Sequence, residues 1–217
     1  MDKREEDRRF IAKKIASWFH DGQVINLGIG LPEKVADYIT GDVVVQAENG
    51  VLGCAERTAG QEPEAPYFNA GGFTINLVPG ASVFDSNVSF AMIHTGRISA
   101  TVLGCFEVSQ YGDLANMARP GSYPGMGGAM DLVSGIKNVI IATDHCTRDG
   151  KPKIVERCTL PLTGAGVAKT IVTELAVFTV SREEGLTLTE YREGTDLGEI
   201  REKTGAPFRI SEELRVM

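Results

Sequence analysis

Cysteine is scarce in this chain of 217 residues, and the few present show no pattern typical of a metal site. The four cysteines, Cys54, Cys105, Cys146 and Cys158, form no Cys-x-x-Cys pair and no zinc-ligand spacing. We therefore expect free thiols, with neither a disulfide framework nor a bound metal. The sequence also lacks a Walker motif, so nothing in it predicts a nucleoside triphosphate site.

Long hydrophobic runs and an excess of positive charge are absent as well. No apolar run approaches membrane-spanning length, and residues 1–9 are too polar for a signal peptide, which predicts a cytoplasmic protein without a membrane partner. The formal net charge is −7, from 22 Lys and Arg against 29 Asp and Glu, which argues against nucleic acid as the main partner. An anionic substrate would therefore need local positive charge or charge supplied by another subunit.

Helical and strand-like segments alternate along the chain, which predicts one α/β domain over residues 1–217. No internal repeat, low-complexity tract or linker divides it. The predicted helices are residues 10–22, 85–93, 129–133, 166–174 and 195–203. The predicted strands are 23–27, 43–47, 73–78, 98–108, 138–142, 153–160 and 175–180. Residues 53–72 are predicted as a long loop, Pro79-Gly80-Ala81 as a turn and Glu184-Gly185 as the tip of a hairpin.

The most informative stretch is Val-Val-Val-Gln-Ala-Glu-Asn-Gly over residues 43–50. Three valines predict a buried strand of a parallel sheet, and Asn49-Gly50 is typical of a sharp exit with positive φ angles. Glu48 should then lie at the carboxyl end of that strand, where open α/β sheets place their chemistry. The simpler alternative is a polar residue that merely ends a strand.

A glycine turn precedes this strand at Gly28 and Gly30. It leads into Pro32, suited to the first turn of a helix, and backbone amides at such a turn can receive an anion. With Glu48 about twenty residues on, the spacing also mimics a dinucleotide-binding fingerprint. That alternative fails at the third glycine, where Glu33 stands and would repel a pyrophosphate.

A second glycine cluster covers residues 120–133 and ends in a predicted helix that begins at Ala129. Glycines this dense let backbone amides approach a ligand closely, whereas the alternative is a flexible surface loop.

His145 beside Cys146 suggests a thiol–imidazole dyad, which we reject because neighbours on a strand point to opposite faces. His94 and Arg97 are predicted as surface groups, although Arg97 could equally meet an anionic substrate.

Together these segments resemble the β subunit of family I coenzyme A transferases of the 3-oxoacid and acetoacetate type. The resemblance covers nearly the whole chain. It implies an open, mainly parallel sheet with helices on both faces, a fold shared with sugar-phosphate isomerases. It further implies that Glu48 is the nucleophile, that the amides of Gly128 and Ala129 contribute to an oxyanion hole, and that Asn26 lines the site. The matching segments are Asn26–Pro32, Glu48–Gly50, Phe90–Ile93, Tyr111–Asn116, Gly125–Val133 and Cys158–Thr163.

The same resemblance implies transfer of coenzyme A between an acyl-CoA and a free carboxylic acid through a glutamyl-CoA thioester. Coenzyme A would be a substrate and transient adduct, with no permanently bound cofactor and no metal. The expected partner is an α subunit in an α2β2 heterotetramer. The residues that bind the nucleotide of coenzyme A are not identified. The alternative is a non-catalytic or regulatory subunit that binds acyl-CoA.

The sequence departs from the family pattern at positions that bear on substrate. Succinyl-type members place a lysine where Gly72 stands, and His94-Thr-Gly-Arg97 replaces the Arg-Gly-Gly-His of many relatives. Without the lysine charge, we expect a short or 3-oxo monocarboxylate to be preferred over succinate.

Overall fold

The computed structural model describes residues 2–55, 67–122 and 125–217. The helices are α1 (Lys3–Ala16), α2 (Ser86–His94), α3 (Ala129–Gly135) and α4 (Leu197–Lys203), with a 3₁₀ helix at Pro32–Tyr38. The first strands are β1 (Val24–Leu27), β2 (Val44–Ala47), β3 (Val51–Ala55), β4 (Tyr67–Phe68), β5 (Thr74–Val83), β6 (Ala100–Leu103) and β7 (Glu107–Ser109). The others are β8 (Leu114–Ala115), β9 (Val139–Ala142), β10 (Ile154–Val155), β11 (Ala168–Val172), β12 (Ala176–Ser181), β13 (Gly185–Tyr191) and β14 (Phe208–Val216).

A large mixed sheet organises the chain, in the order β14-β13-β12-β11-β9-β6-β1-β2-β3-β5-β4. Its central strands from β11 to β2 are parallel, and antiparallel pairs extend it on both sides. The edge strand β14 is parallel to β13. Strands β10, β7 and β8 form a small second sheet. This arrangement confirms the predicted α/β fold with a parallel centre.

Helices cover both faces of the large sheet, because its central strands are apolar on both sides. Val102 and Ile140 pack with Ile11 of α1 on one face. The next residues along the same strands, Leu103 and Ile141, belong to the core under α2, α3 and α4 on the opposite face. Alternation of successive side chains between two buried faces is the arrangement expected of a parallel α/β sheet.

Local signals fix several element boundaries where the sequence predicted them. Asp85 caps α2 by accepting a hydrogen bond from the Asn87 amide at 2.8 Å. The predicted helix at Ala129 and the hairpin at Gly185 are also present. The first helix ends at Ala16, earlier than the predicted end near Gly22.

The helix predicted over residues 166–174 is wrong, because this segment contains β11. Ile171 and Val172 contribute to opposite cores, and β11 pairs with β9 on one side and β12 on the other. A short apolar segment buried on both faces has no periodicity that separates strand from helix.

The turn predicted at Pro79-Gly80-Ala81 is wrong too, since these residues lie inside β5. The pairing of β5 with β3 is irregular opposite Gly53, so the proline and glycine occupy a bulge and do not reverse the chain.

Two predicted strands are shorter than expected. The strand over 98–108 is interrupted, because β6 joins the large sheet whereas β7 belongs to the small one. Within 153–160 only Ile154–Val155 is a strand. The loop predicted over 53–72 contains the end of β3 and all of β4, and its residues 56–66 lie outside the described part of the chain.

No helix among the described residues is long and apolar enough to span a membrane.

Candidate active site

Glu48 follows β2 directly and begins the turn that leads to β3, at the carboxyl end of the parallel strands. The turn is closed by the Gly50 amide, which donates to the Ala47 carbonyl at 3.0 Å. Gly50 has φ +126°, and a β-carbon there would lie 2.1 Å from the Phe84 carbonyl oxygen, so only glycine fits. Asn49 does not share the positive φ angle that the sequence suggested. The expected position of Glu48 at a strand end is confirmed.

Three buried polar side chains lie side by side on neighbouring strands, at the level of the sheet two residues before Glu48. Asn26 of β1 is in register with Gln46 of β2 on one side and with Thr101 of β6 on the other. All three are at most 1% exposed. Parallel pairing therefore places three hydrogen-bonding side chains side by side beneath a partly exposed carboxylate.

Asn26 is the member of this row that reaches Glu48. Its Nδ2 donates to Glu48 Oε2 at 3.1 Å, and its Oδ1 accepts from Thr101 Oγ1 at 3.0 Å. Because the amide oxygen is taken by a hydroxyl, the amide nitrogen faces the carboxylate. The arrangement orients one Glu48 oxygen and leaves the other without this donor.

Gly28 and Glu48 each lie two residues beyond the paired Asn26 and Gln46, just past the ends of β1 and β2. The Gly28 amide donates to the Val102 carbonyl at 2.8 Å. A β-carbon on Gly28 would lie 2.9 Å from Leu103 Cδ2 and 3.1 Å from the Val102 oxygen. A side chain at this position would crowd β6 and narrow the space next to the carboxylate.

The amide of Gly30 is already donated within the chain. It binds Glu33 Oε2 at 2.9 Å, while Glu33 Oε1 accepts from Asn69 Nδ2 at 2.9 Å. The Asn69 Oδ1 in turn accepts the amides of Gly71 and Phe73 at 3.0 Å each. Glu33 and Asn69 thus join the first glycine turn to the turn that contains Gly72.

The second glycine cluster reaches Glu48 from the opposite side. A β-carbon on Gly128 would lie 3.1 Å from Glu48 Cγ and 3.1 Å from Phe90 Cζ, so the glycine backbone is packed against both. The next amide, that of Ala129, donates to the Met126 carbonyl at 3.2 Å as α3 begins. Residues 123–124 of this cluster lie outside the described part of the chain.

Several candidates from the sequence do not join this site. His145 is fully buried, and its ring nitrogens lie 2.9 Å from Thr173 Oγ1 and 3.0 Å from Thr204 Oγ1. Burial, with the Lys203 charge second, lowers the pKa of His145 to about 4. The Cys146 thiol instead faces the Lys203 carbonyl at 3.7 Å, so no thiol–imidazole dyad is formed.

His94 and Asp131 pair with each other near the site. Their Nε2 and Oδ1 atoms lie 3.0 Å apart, which joins the end of α2 to the first turn of α3. Both side chains are substantially exposed, so this contact contributes little free energy.

A cavity of about 320 Å³ lies beside β2, next to the site. Val45, Gln46 and Ala47 contribute to its lining, together with Leu27 and Phe73, whereas the Gln46 side chain also donates to Ser89 of α2. Cys54 also lines this cavity, where burial raises the pKa of its thiol to about 11.

Sequence reasoning missed Gln46, Thr101 and Ser89. Gln46 Nε2 donates to Ser89 Oγ of α2 at 2.9 Å, and Ser89 is fully buried. A glutamine within a valine-rich strand was the available signal, because a buried polar residue needs partners.

Comparisons with known proteins identify a family and several relatives. The Coenzyme A transferase family model matches residues 9–203. One relative is a single subunit of the succinyl-CoA:3-ketoacid coenzyme A transferase from Helicobacter pylori, 46% identical over 205 residues that cover 94% of this chain and 99% of that one. The chain is also 46% identical to the beta subunit of acetate CoA-transferase from Escherichia coli, covering 94% of each.

Longer relatives match this chain over one part of their own length. Human mitochondrial succinyl-CoA:3-ketoacid coenzyme A transferase 2 is 45% identical over 219 residues, which cover 99% of this chain but 42% of the human protein. The chain thus spans about two fifths of the length of its mammalian relatives. An Escherichia coli O157:H7 acyl-CoA transferase, solved as a thioester complex with CoA, aligns with a TM-score of 0.72 at 25% identity, covering 97% of this chain and 43% of that one.

Proposed function

The chain belongs to the coenzyme A transferase family, and from this premise we propose that it moves coenzyme A between an acyl-CoA and a free acid, with Glu48 as nucleophile. The observation that carries the proposal is the position of Glu48 at a strand end, held by Asn26 at 3.1 Å and packed against Gly128. We further propose that residues 1–217 form one domain and that the enzyme is cytoplasmic.

The proposed reaction exchanges one thioester for another. A Glu48 carboxylate oxygen attacks the carbonyl carbon of the acyl-CoA, and the carbon–sulfur bond breaks. The products are a mixed anhydride between Glu48 and the acyl group, and the free coenzyme A thiolate. The thiolate then attacks the Glu48 carbonyl carbon and expels the first acid as its carboxylate. A second acid reverses both steps and leaves as the new acyl-CoA. Coenzyme A is thus a substrate and a transient adduct, and atoms and charge balance without a redox partner.

Each tetrahedral intermediate develops an oxyanion that fixed amide donors would stabilise. One such donor contributes about 3 kcal/mol to lowering the barrier. We propose the Gly128 amide for this role, because its backbone is packed against Glu48. The amide of Ala129 already donates to the Met126 carbonyl, and the amide of Gly30 already donates to the Glu33 carboxylate. Either hydrogen bond would have to break before that amide could stabilise an oxyanion.

The decisive experiment traps the proposed thioester. The protein with its partner subunit is incubated with acyl-CoA but no acceptor acid, and peptide mass spectrometry locates coenzyme A. We expect the adduct on the peptide containing Glu48 and its loss in Glu48→Gln, which keeps the size and removes the nucleophile. An adduct elsewhere, or full activity of Glu48→Gln, contradicts the assignment. Binding of acyl-CoA without any modification of Glu48 would support the non-catalytic alternative.

We propose that an α subunit completes the site in an α2β2 heterotetramer. The bacterial relatives are each named as one separate subunit of their enzyme. Large apolar side chains near the site are also exposed, including Ile29, Phe68, Phe73 and Met130. The test compares transferase activity of the chain purified alone with that of the chain purified with its partner. High turnover by the isolated chain would show that the site is self-sufficient.

For the substrate, we propose a short or 3-oxo monocarboxylate in preference to succinate. Sequence identity does not separate these options, since relatives named for succinyl-CoA and for acetate both reach 46%. Gly72 stands where succinyl-type members carry a lysine, and no atom lies within 4 Å of a β-carbon placed there. One missing charge contact corresponds to about 2 to 3 kcal/mol, or tens to a few hundred fold in kcat/KM.

The substrate experiment compares Gly72→Lys with Gly72→Ala on succinyl-CoA and acetoacetyl-CoA. Gly72 has φ +78°, so both variants carry the same backbone strain and differ by the ammonium group. We expect only Gly72→Lys to gain activity with succinyl-CoA relative to acetoacetyl-CoA. A wild-type preference for succinyl-CoA would mean that Arg97 or a partner residue supplies the missing charge.

A further inference from the structure

Gln46 and Ser89 form a buried connection between α2 and the residue that holds Glu48. Gln46 is 1% exposed and Ser89 is fully buried. Gln46 Nε2 donates to Ser89 Oγ at 2.9 Å and lies 3.5 Å from the Ser89 carbonyl oxygen. On its other side, Gln46 Oε1 accepts from Asn26 Nδ2 at 3.4 Å. The glutamine therefore uses its donor toward the helix and its acceptor toward Asn26.

This order of donors and acceptors determines which atom of Asn26 meets Glu48. Thr101 donates to Asn26 Oδ1, and Gln46 presents two acceptors to Asn26 Nδ2, its own Oε1 and its backbone carbonyl oxygen, each at 3.4 Å. Because both Gln46 oxygens can only accept, they require the Asn26 nitrogen to stand between Gln46 and the carboxylate. If the Asn26 amide were rotated by half a turn, its oxygen would face both Gln46 Oε1 and the Glu48 carboxylate, which is unfavourable in a buried site.

The same helix also positions the glycine backbone that faces Glu48. Phe90 follows Ser89 on α2, and its ring lies 3.1 Å from the place of a Gly128 β-carbon. Adjacent residues of α2 thus contact the orienting amides on one side and the Gly128 backbone on the other. A displacement of α2 would alter both the nucleophile and its proposed oxyanion donor.

We propose that Gln46 and Ser89 are positioning residues that fix the Asn26 amide so that its N–H, and not its carbonyl, meets Glu48. The proposal rests on the proposed function of Glu48 as nucleophile for its kinetic consequence, whereas its structural consequence is independent of that function. Both residues are at most 1% exposed, so we assign them no contact with substrate. They act through Asn26, in a buried network whose members are expected to behave as one unit.

The kinetic test uses Gln46→Met, which keeps the length of the side chain and removes its donor and acceptor. With the partner subunit present, we expect kcat to fall about 10- to 100-fold while KM for acyl-CoA changes by less than about threefold. Gln110→Met is the matched control, because Gln110 is another buried glutamine and its side chain lies beside Gly185, at the hairpin between β12 and β13. A kcat for Gln46→Met equal to that of the control overturns the kinetic proposal.

A double-mutant cycle separates positioning from general loss of stability. Ser89→Ala should lower kcat, Ser89→Thr should retain most of it because the hydroxyl remains, and Gln46→Met with Ser89→Ala should be no worse than Gln46→Met alone. Thermal unfolding of each variant reports any structural damage. Fully additive losses in kcat would show that the two residues do not act as a unit.

A crystal structure of Gln46→Met gives a readout that does not depend on catalysis. We expect the Asn26 amide to rotate or withdraw and the 3.1 Å contact with Glu48 to be lost. An unchanged contact overturns the proposal. If the contact is lost but the wild type forms no coenzyme A adduct, the positioning role stands and the proposed function of Glu48 fails.

Discussion

Gly128→Ala tests whether the close approach of the second glycine turn to Glu48 matters for catalysis. The added methyl would lie 3.1 Å from Glu48 Cγ and 3.1 to 3.2 Å from two ring atoms of Phe90. Ordinary contact begins at 3.4 Å, so Glu48, Phe90 or the turn must move by at least 0.3 Å. Gly128 has φ −79°, which alanine adopts freely, so the change acts through packing and not through backbone strain.

The expected effect is on kcat. A displacement of 1 Å at a reacting group costs about 100-fold, so a shift of a few tenths of an ångström should lower kcat about 3- to 30-fold. Gly128 is also the N-cap of α3, where alanine is less favourable by up to about 1 kcal/mol in unfolding free energy.

The assay measures kcat and KM for acyl-CoA with the partner subunit present, alongside urea unfolding. Gly104→Ala is the control, because a β-carbon there meets only the Ala142 oxygen, at 4.0 Å, and no positive φ angle is involved. A Gly128→Ala enzyme whose kcat lies within twofold of this control would refute the reasoning, since the contact would then be irrelevant to the reaction.

Three further predictions concern titratable groups. Burial, and then the Lys203 charge, lower the folded-state pKa of His145 from 6.5 to about 4. The free energy of unfolding should therefore fall by about 3 kcal/mol between pH 6.5 and pH 4. In urea unfolding, His145→Asn should show a smaller dependence of this free energy on pH. Burial opposes ionisation of Asp144, yet hydrogen bonds from Arg8 and Arg4 lower its pKa below 3.8. Asp144→Asn should therefore lower the free energy of unfolding by about 2 kcal/mol at pH 7, and this difference should disappear as the pH falls below 3.8 through the folded-state pKa. Equal unfolding midpoints of the two proteins at pH 7 would contradict this. Because burial raises the pKa of Cys54 to about 11, iodoacetamide at pH 8 should label it far more slowly in the folded than in the urea-unfolded protein, and equal rates would be inconsistent with that environment.

Features specified by a few neighbouring residues could be predicted from the sequence. The position of Glu48 follows from valines ending at a turn dipeptide, and the start of α2 follows from Asp85, whose side chain accepts the Asn87 amide. The hairpin at Gly185 is equally local. In each case the relevant contacts lie within four residues along the chain, so local propensity and final structure agree.

Features that depend on strand order could not be predicted in the same way. The sequence predicts a helix over residues 166–174, and only pairing with β9 and β12 determines that this segment forms the strand β11. Gln46, Asn26 and Thr101 come from three strands that are far apart in sequence, and only their parallel register places them side by side. A single sequence contains the residues but not the register.

The first glycine turn shows how a local signal and a tertiary contact combine. The sequence indicates that backbone amides at this turn can receive an anion and that Glu33 would repel a pyrophosphate. The structure joins the two features, because the Gly30 amide donates to the Glu33 carboxylate at 2.9 Å. Asn69 holds the other oxygen of Glu33 from a turn 36 residues later. An external phosphate would have to displace an anion that is already hydrogen-bonded at both oxygens and covalently part of the chain. The residue that breaks the dinucleotide fingerprint therefore also occupies the position where that fingerprint would bind its ligand, which leaves Glu48 free for a role other than ribose recognition.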